Sequence, residues 1–210
     1  MRKALGVSLL LAGLCLAFPA HAQYIGILQS AETVEKGTTK LMIAPMVVFG
    51  KNGADDEIGA VARAGYGFTD RFDAEAKFGL FEDHTVIGAD GELWVLHGER
   101  KDEGVDGSLT AGAHYIFGSG DAFDSWGIDL TPTLSGHVVP SFELVGSLDV
   151  SFENLRDVPE GVDDTFTRVH LVPGFEYRLS DEADLDGEVG IGLNDDSFTY
   201  LGLGIVFYLR

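Results

Sequence analysis

From Thr39 to Arg210 apolar and polar residues alternate with a period of two, segment after segment. In one segment Asp184, Asp186 and Glu188 share a face, while Ala183, Leu185, Val189 and Ile191 share the other. Successive side chains on a strand point to opposite faces, so each segment carries one apolar face and one charged or small-residue face. A soluble sandwich also alternates, but its polar face carries Lys and Thr and its turns are less regularly spaced. Here the pattern follows an export signal and is rich in Gly and aromatics. It predicts an all-β fold, a transmembrane antiparallel up-and-down β-barrel whose polar faces line the interior.

The amino terminus reads as a cleavable signal peptide over residues 1–22. Arg2 and Lys3 supply the positive start, Leu5 to Phe18 a short apolar stretch, and Ala20-His21-Ala22 an A-x-A cleavage site. The expected mature chain begins at Gln23, with residues 23–38 as a periplasmic segment and 39–210 as the barrel. The apolar stretch is too short to span a bilayer as a helix, and no later run is longer. Cys15 is the only cysteine, and Leu14 precedes it where a lipoprotein signal would have a small residue. The mature chain then has neither disulfides nor Cys-based metal or nucleophile sites. The formal net charge of −20, from 34 acidic and 14 basic residues, argues against nucleic acid, since phosphate binding needs clustered Lys and Arg.

About ten strands can be placed, each near the length that a tilted membrane strand needs, with eight or twelve as alternatives. The first, Thr39 to Phe49, is apolar on both faces. The fourth, about Ile87 to His97, is interrupted by Gly91. The expected lumen lining begins with Arg63 on the second strand, Asp73, Glu75 and Lys77 on the third, and Asp90 and Glu92 on the fourth. It continues with His114, Asp129, Glu143 and Asp149 on the fifth to seventh. Arg168, His170, Glu176 and Arg178 on the eighth, and Asp184, Asp186 and Glu188 on the ninth, complete it. Pro45, Pro132 and Pro173 fall inside strands, which ordinarily argues against a central position; all three belong to outward faces. Phe68, Phe72, Tyr115, Phe117, Trp126 and Phe152 gather toward strand ends, as interface girdles do. An even strand count places both termini in the periplasm.

Two stretches, Ala31-Glu32-Thr33-Val34-Glu35-Lys36-Gly37 and Gly65-Tyr66-Gly67-Phe68-Thr69-Asp70-Arg71, resemble small porin-like or transporter-like outer-membrane barrels. The run from Gly174-Phe175-Glu176-Tyr177-Arg178-Leu179-Ser180 through Gly192-Leu193-Asn194-Asp195-Asp196 is similar to the last hairpins of the meta-pathway phenol-degradation outer-membrane family. The resemblance implies insertion by the barrel-assembly machinery and transfers no catalytic residue. Such barrels usually close on an aromatic residue, whereas here Phe207 and Tyr208 precede Leu209 and Arg210.

Two functions fit the lining. Its carboxylate excess can bias a narrow aqueous path toward cations or other small solutes. Alternatively the charges pair and fill the interior, as barrels of about eight strands do, leaving a closed structural or adhesion barrel that acts through acidic loops. Asp55, Asp56, Asp163, Asp164, Asp195 and Asp196 are weak candidates for a divalent cation bridging to lipopolysaccharide; their spacing matches no calcium loop, and solvated turns are the plainer reading. A remote reading places His84 with Asp55, Asp83 and Asp195 in an omptin-like rim protease. Three inward histidines, His114, His137 and His170, could ligate a metal, but hydrogen-bonded interior histidines explain them more simply. The expectation is therefore an outer-membrane protein without cofactor or enzymatic chemistry. Its partners are membrane lipid and lipopolysaccharide, with small solutes or cations.

Overall fold

The computed structural model describes residues 28–51, 55–98, 104–120, 122–159, 161 and 163–210. The export signal, its cleavage after Ala22 and the first residues of the segment from Gln23 lie outside the described residues. Ten strands follow one another: β1 (Thr39–Phe49), β2 (Glu57–Thr69), β3 (Phe72–Leu80), β4 (His84–Leu96) and β5 (Asp106–Gly118), then β6 (Ser125–Val139), β7 (Phe142–Leu155), β8 (Thr165–Ser180), β9 (Ala183–Gly192) and β10 (Thr199–Leu209). Each pairs antiparallel with its sequence neighbour, and β1 closes on β10 with Thr39 opposite Leu209. The barrel is thus closed with ten strands, not eight or twelve. Closure leaves no edge, which is what lets strands cross a lipid phase with every ladder group paired.

Outward residues form the apolar belt that the alternation predicts. Ile43, Ile58, Phe68, Ile128, Leu134 and Leu203 are all exposed, Ile58 by 64%. A continuous apolar patch of this extent needs lipid or a partner to cover it. Aromatics flank the belt at both ends. Tyr66 meets Phe68 edge-to-face and Phe68 meets Phe72 tilted along one side of the terminal end, with centroids 5.0 and 6.1 Å apart, and Phe142 stacks on Phe175 at 5.8 Å. At the loop end the Tyr115 hydroxyl donates to Asp124 at 3.0 Å, and Trp126 Nε1 donates to Asn154 at 3.0 Å. Aromatic bodies facing lipid with polar tips toward water are the interfacial arrangement.

The irregularities of the ladder have local causes. Register shifts occur at Gly67/Thr69, Trp94/Leu96, His137/Val139 and Arg178/Ser180, each beside a connection at the terminal end. Bulges at a barrel rim bend and twist the strand pair where it must turn back. Each strand proline breaks the ladder on one side only. Pro45 pairs with Ala60 but leaves a gap toward β10, Pro132 pairs with Leu109 but leaves a gap toward β7, and Pro173 pairs with Gly146 but leaves a gap toward β9. A missing N–H can serve one neighbour's ladder no longer, while the other side is untouched.

Two strand expectations are corrected. β4 begins at His84 rather than Ile87, because Phe81 N–H donates to the His84 carbonyl at 3.0 Å and its ring stacks on the imidazole at 4.6 Å. Gly91 does not interrupt β4, since the Phe72 ring from β3 lies where its side chain would be, 3.0 Å from an ideal Cβ. We expect Leu203→Arg, in the middle of the lipid-facing belt, to lower stability by about 2–4 kcal/mol. Urea titrations of the protein refolded into vesicles measure it, and a change below about 1 kcal/mol would contradict the assigned lipid face.

Candidate functional site

The side chains pointing inward sort by height. The loop half of the lumen contains an apolar cluster drawn from strands all around the wall: Met46 and Val48 of β1, Val61 of β2, Val86 of β4, Ile116 of β5, Val172 of β8 and Tyr200 of β10. Phe81, Phe166 and Phe198 pack against it. This explains the second apolar face of β1: its inward residues are lumen filling. The filling works by pairing large with absent side chains. Tyr200 is wholly buried over Gly190, where an added Cβ would come within 1.8 Å of the ring, and Phe81 covers Gly59 in the same way.

Below and beside this cluster the polar residues are bound to one another. Across β1 to β4, Lys40 meets Glu75 at 3.0 Å, Arg63 pairs with Glu75, and Lys77 pairs with Asp90. Across β5 to β8, His114 Nδ1 lies 2.8 Å from Asp129 and Nε2 lies 2.9 Å from Glu153, an arrangement that a ring with two N–H donors satisfies. Ser151 donates to Asp129, Arg168 approaches Glu153 at 3.8 Å, and its guanidinium lies 4.9 and 5.3 Å from the Phe166 and Phe198 ring centres. Thr131 donates to Asp149 at 2.7 Å, with His170 3.7 Å from the other carboxylate oxygen.

The expected lining residues therefore lie inside, Arg63, Asp73, Glu75, Lys77, Glu92, His114 and Asp129 among them as buried groups. Glu143, Asp149, Arg168, His170, Asp184, Asp186 and Glu188 are equally buried, and the Asp90 side chain is only 5% exposed. Arg178 differs, reaching the exposed terminal mouth. His84 is turned inward, buried, with Nδ1 3.3 Å from Glu57, so it leaves the rim where the protease-like reading needs it. Among the described residues no group of three or more His, Cys, Asp or Glu is gathered to hold a metal ion. Asp55, Asp56, Asp163, Asp164, Asp195 and Asp196 are exposed on separate loops. The Lys51 ammonium takes the carbonyls of Asn194, Asp195 and Ser197 at 3.3, 2.8 and 3.3 Å, tying the first outer loop to the last.

The main departure from the sequence reading concerns the segment drawn as lying outside the barrel. Residues 28–38 enter the lumen from the terminal end. Leu28 is buried with Met42, Ala44 and Val206, and its N–H donates to Glu188 at 2.7 Å. Ala31 N–H donates to Ser135 at 3.0 Å, Val34 N–H to Asp73 at 2.6 Å, and Gln29 bonds both Thr110 and Arg63 at 3.2 Å. Gly67 makes the entry possible: a Cβ there would lie 2.3 Å from the Val34 and Glu35 carbonyl oxygens. A segment whose amides bond wall carboxylates follows from no alternation pattern; the only sequence signal was the run Leu28, Ala31 and Val34 beside an unusually acidic wall.

Between this segment and the wall lies a vestibule of about 760 Å³, open at the terminal end. Glu176, Asp184 and Asp186 line its inner side, with Trp94, His97 and Tyr208 among the other walls. His97 packs against Trp94 in a tilted arrangement, with ring centroids 3.7 Å apart.

No family model matches the chain, and no curated protein does. Among solved structures, an outer membrane channel from Pseudomonas putida F1 superposes with a TM-score of 0.54, covering 85% of this chain and 98% of that one at 13% identity. The N-terminal β-barrel domain of Pseudomonas aeruginosa OprF gives a TM-score of 0.39 at 13% identity over 83% and 98% of the two chains. The KdgM porin gives 0.38 at 12% identity over 82% and 99%. The likeness is one of fold. The chain shares the closed-barrel fold of that channel.

Two substitutions test the interior. His114→Ala leaves Asp129 facing Glu153 across a buried gap and is expected to cost about 3–5 kcal/mol; adding Glu153→Gln should recover part of that loss in the same urea titration. Gly67→Leu is expected to displace residues 28–38 and abolish hydrogen-exchange protection at the Leu28, Ala31 and Val34 amides. Protection retained in that variant would show that the segment does not depend on the Gly67 contact.

Proposed function

We propose that this chain is an outer-membrane β-barrel, exported by its signal peptide and closed along its axis, which works at its two ends and without enzymatic chemistry. The observation that carries this reading is the apolar cluster in the loop half of the lumen. Its members come from six strands around the wall and meet in the middle, so an ion on the axis would have to shed its water there. The segment 28–38 occupies part of the other half, bonded to the wall through its own amides. The ten-strand circumference favours the same conclusion, since small barrels are filled by side chains. The even count puts both termini on the vestibule side; with the termini periplasmic, as in outer-membrane barrels generally, the acidic loops face outward.

Porin-like passage of cations or small solutes is the second reading. It is favoured by the carboxylates of β8 and β9 and by the TM-score of 0.54 to a channel. In that reading residues 28–38 are a gate and the apolar cluster a hydrophobic constriction. The finer likeness to the phenol-degradation barrels rests on the closing-hairpin residues and belongs with it.

Planar-bilayer recording separates the two. The refolded mature chain is expected to be silent, and a chain lacking residues 23–38 is expected to remain silent, because the apolar cluster belongs to the strands. Stepwise cation-selective currents from the mature chain would overturn the closed-barrel reading. Currents appearing only on deletion would overturn it in favour of a gated channel.

A further inference from the structure

Residues 28–38 lie in the lumen with their amino-terminal end deepest. Val34 N–H donates to Asp73, the second residue of β3 counted from the terminal mouth. Ala31 N–H donates to Ser135, four residues inside the end of β6 at Val139. Leu28 N–H donates to Glu188, five residues inside the start of β9 at Ala183. Leu28 is 2% exposed, and its side chain lies 3.5 Å from where a Cβ on Gly202 would be. Gly202 stands opposite Met46 in register, and Met46 belongs to the apolar cluster. The tip of the segment therefore sits directly beneath the closed half of the barrel.

Whatever precedes Leu28 starts from inside the lumen. In the expected mature chain that is residues 23–27, five residues that need cross neither end of the barrel. With the export signal attached it is 27 residues, including the apolar stretch Leu5 to Phe18. The wall from Glu188 to the mouth at Ala183 is roughly 17 Å long at about 3.4 Å per residue. A chain of 27 residues, extending to as much as about 97 Å, must leave the lumen. One exit passes between Met46, Val172 and Tyr200, all packed and at most 2% exposed. The other reverses the chain at Leu28 and lays Tyr24, Ile25 and Ile27 along the vestibule wall of Glu176, Asp184 and Asp186. Apolar residues there would screen carboxylates from water without offering side-chain donors. Leu28 is also already strained, with φ at 41°, and is held by its bond to Glu188 and by Met42, Ala44 and Val206. A tether pulling on it acts against those few contacts.

We propose that residues 28–38 dock only after the export signal has been removed, so that processing of the amino terminus closes the terminal half of the barrel and leaves the new amino terminus inside it. The step is hydrolysis of the Ala22–Gln23 peptide bond by a signal peptidase. Water supplies the hydroxyl of the Ala22 carboxyl group and the proton of the Gln23 amine. Before cleavage Asp73, Ser135 and Glu188 face a wet lumen; after it they receive the amides of Val34, Ala31 and Leu28. The proposal rests on the closed-barrel reading and its signal peptide, and adds when the closure forms.

The test compares three chains refolded into the same nanodiscs: one starting at Gln23, one of residues 1–210, and one carrying 22 Gly/Ser residues and a protease site before Gln23. Hydrogen exchange is read at the Leu28, Ala31 and Val34 amides, with strand amides as the check that each barrel has folded. Protection is expected in the first chain and its loss in the other two. Cutting the Gly/Ser extension from the folded barrel should restore it. Equal protection in all three chains overturns the proposal while leaving the closed barrel intact. Loss with the natural leader but not with the Gly/Ser extension also overturns it, since the cause would then be the leader's apolarity rather than its passage. Unprotected amides in the chain starting at Gln23 would overturn both the proposal and the closure of the terminal half.

Discussion

Every backbone N–H and C=O of a strand that crosses lipid must find its partner within the protein. That requirement forces β10 back onto β1, and the rest of this structure follows from the closure. Ten strands fix a narrow circumference, and a narrow lumen out of contact with bulk water must be packed like any interior. The glycines of the inner faces then acquire a role, since Gly190 and Gly59 are the spaces into which Tyr200 and Phe81 fit. The polar residues of those faces must meet one another, as His114 does with Asp129 and Glu153.

The two halves of the lumen meet that requirement by different means. The loop half is closed by apolar and aromatic side chains of the wall itself. The terminal half is closed by a borrowed strand of chain, residues 28–38, whose amides bond Glu188, Ser135 and Asp73. The borrowed segment does not fill its half completely, and the remaining space is an acidic, one-ended vestibule. Charge inside a small barrel is therefore two things at once in this protein. Along β1 to β4 it is paired and structural, whereas Glu176, Asp184 and Asp186 of β8 and β9 border a cavity.

Strand number, strand faces and most of the lining were legible because alternation reports directly which face a residue occupies. The first strand, Thr39 to Phe49, has the expected bounds, and Asp184, Asp186 and Glu188 of β9 are buried inside. Three features were not legible. His84 looked like a loop residue because Glu82 and Asp83 precede it, but the stacking of Phe81 draws it into β4. His97 looked like the end of the fourth strand, but the bulge at Trp94/Leu96 ends the pairing before it, and it lines the vestibule. The apolar second face of β1 looked like a blemish, although it was the one sequence sign that the lumen holds an apolar cluster.

By itself the sequence determined the all-β alternating grammar and the assignment of charged residues to an inner face. These are local properties, set by the period of two and by the chemistry of each residue. Tertiary structure decided which charges pair and which stand alone, because pairing depends on register between strands distant in sequence. It also decided that residues 28–38 lie within the barrel, because their partners Asp73, Ser135 and Glu188 come together only once the tenth strand has closed on the first.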